Sequence, residues 1–536
     1  MAASRNRWYA VALVLLAVAA VAVVYAVQPS RRLDGTASTA GGTSATNGPT
    51  VGSTPGPTIT VPSTGATSTP TTDGSTAVEP PPDVQPDGAL GTETAGDPYY
   101  PDAGNGGYDV TAYQVTLGFD PATNALAAAT TIAATVTEPT RLGRLSFDLQ
   151  PSMKVSSVTV DGLPAGFGQQ DAKLRVTPVT GLAPGASTTV VVTYGGSPAR
   201  IVGGTAGLAD GGWYTLDSGG AVVIGEPFSA SAWYPVNEVP TDRASFAVTA
   251  EVPDGWKVIS NGLPVTEGLP APADGTQVFG WAETSEMASY LSMIYIDTFT
   301  QTQDSTAGGL PIVNAYAKGR ESDSAVADRT GEYLDFLASK FGPYPFGSAG
   351  GIYLAESLGF AMETQTRPIY SVGMGDPGTV VHELAHQWFG DDVTITRWAD
   401  ICLNECFASY ASWLWTEHNG TDLDAQYRQT LKFLGAQPTF WSSPLYDMGA
   451  GNEFGSVYTR GPLALHALRH QIGEEKFNEL LLSWIEENSG KSASWADFEA
   501  LVNTIAGTDE TPFMQAWFHA TTVPADEFLY PGDLTP

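Results

Sequence analysis

The chain has few cysteines, few histidines and few basic residues. Two cysteines in 536 residues exclude a disulfide framework and a cysteine-rich zinc module. Lys and Arg number 24 against 57 Asp and Glu, a formal net charge of −33. So acidic a surface repels phosphate backbones and excludes nucleic acid as a partner. Charged residues make up only 15%, below the roughly 25% of ordinary soluble domains, so the acid excess is diluted in polar, uncharged sequence. All six histidines follow residue 381. Any histidine chemistry therefore belongs to the last third of the chain.

Long apolar runs are equally scarce, with one exception. Trp8 to Val27 is apolar throughout and long enough to span a bilayer. Arg5 and Arg7 precede it, and Arg31 and Arg32 follow. Residues 1–32 are expected to form a transmembrane anchor. The competing reading is a cleaved signal segment, since Val24 and Ala26 suit a small-residue cleavage site. From Leu33 to Asp97 there is no aromatic residue, Lys or Arg. Such a Thr/Ser/Pro/Gly stretch buries too little apolar surface to offset chain entropy. Residues 33–97 are expected to be a disordered stalk that holds an exported head outside the cell membrane, or is secreted with it after cleavage.

Beyond the stalk the pattern changes twice. Tyr113, Val115, Leu117 and Phe119 alternate with Ala112, Gln114, Thr116 and Gly118, the period of a half-buried strand. Segments 158–162, 189–194 and 246–252 continue it, with Gly and Pro between them. Residues 98–303 are therefore expected to be an all-β domain of saddle or sandwich type. From Val326 the spacing is helical, through Tyr333, Leu334, Leu337 and Phe341, and Gly342-Pro343 stops that helix. Residues 304–536 read as an α+β unit, and it holds every histidine.

Within that unit stands His382-Glu383-Leu384-Ala385-His386. Positions i and i+4 share one helix face, so His382 and His386 can offer ring nitrogens to one ion. Glu383 sits one residue round, beside that ion, where it can take a proton from water. A site that holds zinc and keeps a position open needs a third protein ligand. Glu405, with eighteen residues between it and His386, supplies it from a returning helix. One Zn2+ per chain is expected. His466 and His470 are also four apart but lack the flanking glutamate, and are read as an ordinary last-turn pair. Cys402 and Cys406 share a helix at a spacing poorly suited to a disulfide and are read as buried free thiols. Asn419-Gly-Thr421 is a glycosylation sequon, relevant only in a host that uses that pathway.

The run His382-Glu-Leu-Ala-His-Gln-Trp-Phe-Gly390, followed by Leu403-Asn-Glu-Cys-Phe-Ala408, resembles the zinc aminopeptidase family of aminopeptidase N and leukotriene hydrolase. The likeness runs from about Tyr108 to Pro524. It implies a thermolysin-like catalytic domain and peptide substrates, in a short form lacking the family's large C-terminal helical domain. It also implies that Tyr458, in Val457-Tyr-Thr-Arg-Gly461, stabilises the oxyanion. Phe360-Ala-Met-Glu-Thr364 resembles the family's Gly-Ala-Met-Glu-Asn strand, so the resemblance makes Glu363 the reader of the substrate α-ammonium, a charge-assisted role. Glu226, in Gly225-Glu-Pro227, sits where the family places a second amine-binding group.

Several residues depart from the family pattern. Phe360 replaces glycine, Thr364 asparagine, Arg460 lysine, and Cys406 a residue usually glycine. Ser412 stands where a glutamate often supports a zinc histidine. None of them is a zinc ligand. An aminopeptidase is the expected function. A zinc endopeptidase with an open cleft and a non-catalytic surface binding module on a peptidase scaffold are the alternatives.

Overall fold

A computed structural model describes residues 84–202 and 210–536. The expected anchor at 1–32 and the stalk from 33 to 83 lie outside the described residues. Among the described residues no helix is long and apolar enough to cross a membrane.

The end of the expected stalk is not free chain. Ala89–Leu90 adds a parallel strand to Leu142–Asp148. Glu93 accepts from Arg175 Nε at 2.7 Å and Nη2 at 2.6 Å, and from Arg144 at 3.1 Å. Asp97 accepts from the Tyr99 amide at 2.8 Å and the Trp398 amide at 2.9 Å. Composition misjudged residues 84–97 because what orders them is polar. Acids that look like stalk residues in sequence meet arginines and backbone amides supplied from distant segments.

The N-terminal part is built from mixed sheets. The largest runs Leu263–Val265, Thr276–Met287, Ala244–Pro253, Tyr108–Asp120, Ala125–Val136, Ser187–Gly196, Met153–Val160 and Leu163–Pro164. Its neighbours are antiparallel except Ala244–Pro253 on Tyr108–Asp120, which are parallel. The strict alternation of Ala244–Pro253 buries Phe246, Val248, Ala250 and Val252, as a one-sided sheet requires. A five-stranded sheet ends in Ala221–Ile224, Ile294–Asp297 and Lys257–Ser260. The first two of these are buried on both faces, and Ala221–Ile224 reads as a continuous apolar run. Thr300–Ser305 straddles the expected boundary at 303/304. It pairs with Pro311–Tyr316 and so belongs to the sheet of the second part, with Ala349–Tyr353, Ile369–Tyr370 and Ala361–Met362.

Helices then dominate: α1 (Thr330–Phe341), α2 (Pro377–Ala385), α3 (Cys402–His418), α4 (Leu423–Thr430), α5 (Arg460–Ile472), α6 (Glu474–Asn488) and α7 (Trp495–Ala506). α1 ends where expected, at Gly342 with φ 94°, a conformation that glycine adopts without cost.

Two buried acids make the strand-rich part sensitive to pH. Glu238 accepts from the Ser231 amide at 2.6 Å and the Ser289 hydroxyl at 3.3 Å. Burial, then Asp148, pushes its pKa up to about 8. Burial pushes Asp242 up to about 7. Between the unfolded carboxylate value near ~4 and these raised values, the folded chain holds protons that the unfolded chain has released. Stability therefore falls as pH rises through that window. Urea midpoints are expected to drop between pH 5 and pH 8. Glu238→Gln should flatten the slope by about 1.4 kcal/mol per pH unit, and an unaltered slope would show that Glu238 is not held neutral.

Candidate metal centre

The sequence around the two histidines specifies its own geometry. The Asp376 carboxylate accepts from the amides of Gly378 at 2.9 Å and Thr379 at 3.3 Å, and Pro377 opens α2. These are the cap and first-position residues that start a helix. The helix then presents His382 and His386 on one face and ends at His386. The chain reverses at Gly390, with φ 125°, where an added Cβ would lie 3.1 Å from the Asn404 side chain. α3 returns alongside, held by stacking of Phe389 on Phe407 at 4.7 Å, and puts Glu405 in its first turn.

His382 Nε2 and His386 Nε2 lie 3.1 Å apart, and Glu405 Oε2 lies 3.2 and 3.4 Å from them. The carbonyl of Phe389 is 3.1 Å from His386 Nδ1. A carbonyl can only accept, so Nδ1 carries the proton and Nε2 turns its lone pair to the shared point. Burial opposes charge on Glu405, but the two imidazoles outweigh it and hold the carboxyl well below the usual range. Two imidazole nitrogens and a carboxylate oxygen aimed at one point form a donor set that suits zinc.

The other expected residues gather round this trio. Glu383 is buried, and burial, with Glu363 and Glu405 behind it, raises its pKa well above the usual value. The Tyr458 hydroxyl donates to Glu405 Oε1 at 3.2 Å, and its ring lies 6.0 Å from that of His382. Glu363 and Glu226 are buried, and each has an Oε1 with no hydrogen-bond partner. Burial raises both, and Glu405 repels both. Gly225 lets Glu226 in: a Cβ there would sit 2.0 Å from the Tyr290 carbonyl oxygen.

The residues that hold Glu363 were not legible in the sequence. Gln387 donates to the Glu363 carbonyl at 3.0 Å and accepts from the Thr366 amide at 2.7 Å. Asn261 donates to the Gln365 carbonyl at 2.8 Å, and the Gly262 amide donates to Thr366 Oγ1 at 2.8 Å. The fully buried Arg367 donates to the carbonyls of Val313, Ala349 and Gly262. Gln387 adjoins His386, and that adjacency was its only visible signal. Thr364, in the asparagine position, gives its hydroxyl to the Arg367 carbonyl at 2.6 Å and closes the turn. Ser412 donates to the Gly378 carbonyl at 2.8 Å. It braces α2 one turn before His382.

Cys402 and Cys406 are disulfide-bonded, not free. Their Cα atoms are 4.8 Å apart, within the span a disulfide bridges. The bond falls in the first turn of α3, where Gly461 presses on Cys406 so closely that an added Cβ would lie 2.6 Å from its Sγ. Spacing alone predicted free thiols because it assumes a regular helix interior.

Residues 377–517 match the peptidase family M1 domain. The chain carries an M1 peptidase domain in its helical part. Among M1 relatives it is 27% identical over 326 residues to aminopeptidase M1-B of Oryza sativa subsp. japonica, covering 55% of this chain and 36% of that one. It is 25% identical over 319 residues to aminopeptidase N of Streptomyces lividans, covering 53% and 36%. The chain thus spans little more than a third of the length of these relatives. A mutant M1 zinc metallopeptidase from Deinococcus radiodurans, solved with a Tyr-Ser-Ala substrate, superposes with a TM-score of 0.74. The two are 28% identical, and the match covers 81% of this chain and 99% of that one.

Proposed function

We propose that this M1 chain is a zinc aminopeptidase that cleaves the N-terminal residue from peptides. The observation that carries the reading is the pair of buried, unpartnered carboxylate oxygens on Glu363 and Glu226, both repelled by the Glu405 charge. Buried carboxylates without partners are unfavourable until a cation arrives. A substrate α-ammonium supplies that cation, and it limits how far the peptide enters to one residue. The aminopeptidase names of the sequence relatives support the same reading.

His382, His386 and Glu405 would hold the zinc. When bound, it supplies a Lewis acid for the scissile carbonyl and lowers the pKa of the attacking water. Glu383 takes the proton of that water and returns it to the leaving amine. Tyr458, its hydroxyl turned toward the ligand set, donates to the developing oxyanion. Gln387 and Arg367 hold the turn that carries Glu363, so the ammonium site keeps its distance from the attacked carbonyl.

The test compares free and N-terminally blocked peptides of one sequence. Free termini should be cleaved and blocked ones spared, with activity lost on chelation. Glu363→Ala should lower kcat/KM for the free peptide on the order of 10²-fold, mostly through KM. Equal cleavage of both peptides by the wild type would replace this reading with an endopeptidase. The segment Trp8–Val27 supports a further part of the proposal, that the head works outside a membrane. Surface proteolysis of intact cells and the mass of the mature chain test it.

A further inference from the structure

A second constellation of the same form lies away from the M1 centre. His466 and His470 are four apart on α5, and Asp424 reaches them from α4. Asp424 Oδ1 is 3.0 Å from His466 Nε2 and 3.1 Å from His470 Nε2. The three ligand atoms all lie within 4.8 Å of one another, as do those of His382, His386 and Glu405. The two histidine pairs match in detail: ring centroids 4.9 Å apart at 69° in α5, and 4.8 Å apart at 76° at the M1 centre. Tetrahedral zinc with bonds of about 2.1 Å sets its ligand atoms about 3.4 Å apart. The three distances at the M1 centre and the two from Asp424 fall close to that spacing.

The outer nitrogens are also engaged, which distinguishes a built site from a chance ion pair. His470 Nδ1 is 2.6 Å from Asp533 Oδ1. A carboxylate only accepts, so this nitrogen carries the proton. In neutral His470 the Nε2 lone pair then faces the Asp424 oxygen, an acceptor against an acceptor. Either a second proton on His470 or a metal ion between them removes the conflict, and zinc counting separates the two. Tyr410 holds His466 Nδ1 at 3.1 Å, and the rings of Tyr410, Trp413 and Tyr427 surround that imidazole. Carboxylate support on the outer nitrogen, as Asp533 gives His470, is a usual arrangement for ligating histidines. The neighbouring cation, Arg469, is matched by Glu417 and Glu474, so it leaves the Asp424 charge available. The Asp424 side chain is 38% exposed, which leaves an entry path and room for water as a further ligand.

We propose that Asp424, His466 and His470 form a second, structural zinc site, with Asp533 orienting His470. It would tie α4 to α5. Through Asp533 it also pins the segment after Asp526–Leu529, where Gly532 lies so close to α5 that an added Cβ would be 2.5 Å from the His470 carbonyl oxygen. The inference does not rest on the aminopeptidase reading.

Zinc counting on the full chain tests it. The wild type should retain a second equivalent of zinc per chain after exhaustive dialysis. Asp424→Asn and His470→Gln should each lose that equivalent, keep the other, and keep peptidase activity. The double variant His382→Ala/His386→Ala should still bind zinc, with its melting temperature raised by the metal. Asp533→Asn should weaken zinc at this site on the order of 10- to 100-fold. A wild type holding one equivalent, all of it lost in the double variant, would overturn the proposal. So would a second equivalent that survives both Asp424→Asn and His470→Gln, since the ion would then sit elsewhere.

Discussion

A Glu383→Gln chain is expected to fold, to bind zinc as the wild type does, and to lose turnover on the order of 10²- to 10⁴-fold. Gln keeps the shape of the side chain and removes its ability to carry a proton. Glu383 is not a member of the ligand trio, whose atoms come from His382, His386 and Glu405, so zinc should stay. The loss should appear in kcat with KM little changed, because proton transfer belongs to the transition state rather than to substrate binding. Single-turnover rates on an aminoacyl reporter, with zinc measured on the same sample, check both halves. Retained turnover with zinc in place would remove Glu383 as the base and return the chain to a binding role. Zinc loss would instead mean that Glu383 supports the ligands.

Tyr458→Phe is expected to lower kcat on the order of 10²- to 10³-fold while leaving fold and zinc intact. Tyr458 is 42% exposed, so losing its hydroxyl disturbs no core packing. The hydroxyl end is the buried one, beside Glu405. Desolvation, followed by the charges of Glu405, Glu226, Glu363 and Glu383, pushes its pKa well above that of a free tyrosine. It therefore stays protonated at working pH and remains a donor. In the free protein that donor rests on Glu405 Oε1 at 3.2 Å, and oxyanion stabilisation asks only that it turn toward the reacting carbonyl. Near-normal kcat in the phenylalanine variant, with unchanged melting temperature, would assign the hydroxyl to holding Glu405 instead.

These effects depend on residues of two kinds, and the sequence displayed only one of them. His382, Glu383 and His386 were legible because helix geometry imposes i, i+4 on a single face, and Glu405 because one tight return brings the next helix back. The alternation of Ala244–Pro253 and the stop at Gly342 were legible for the same reason: each is a property of one element. Glu363, Glu226 and Tyr458 were found only through the family resemblance, since nothing in their local spacing marks them. Of the residues that hold the turn carrying Glu363, Gln387 was marked only by its adjacency to His386, and Arg367 by nothing.

The sequence by itself marked the donor set of the candidate metal centre, its place in the last third of the chain, and the order of a strand-rich part before a helical one. Tertiary structure decided that residues 84–97 are folded onto the sheet, that Cys402 and Cys406 are bonded, and that Thr300–Ser305 belongs to the second part. It also decided that Glu226 and Glu363, each just past a strand of a different sheet, are both buried within reach of the Glu405 charge, and that Asp424 and Asp533 close on a histidine pair that looked ordinary. Periodicity records which face a residue occupies on its own element. Which distant groups meet that face is set by how elements pack, and a polar residue gains or loses its partner only there.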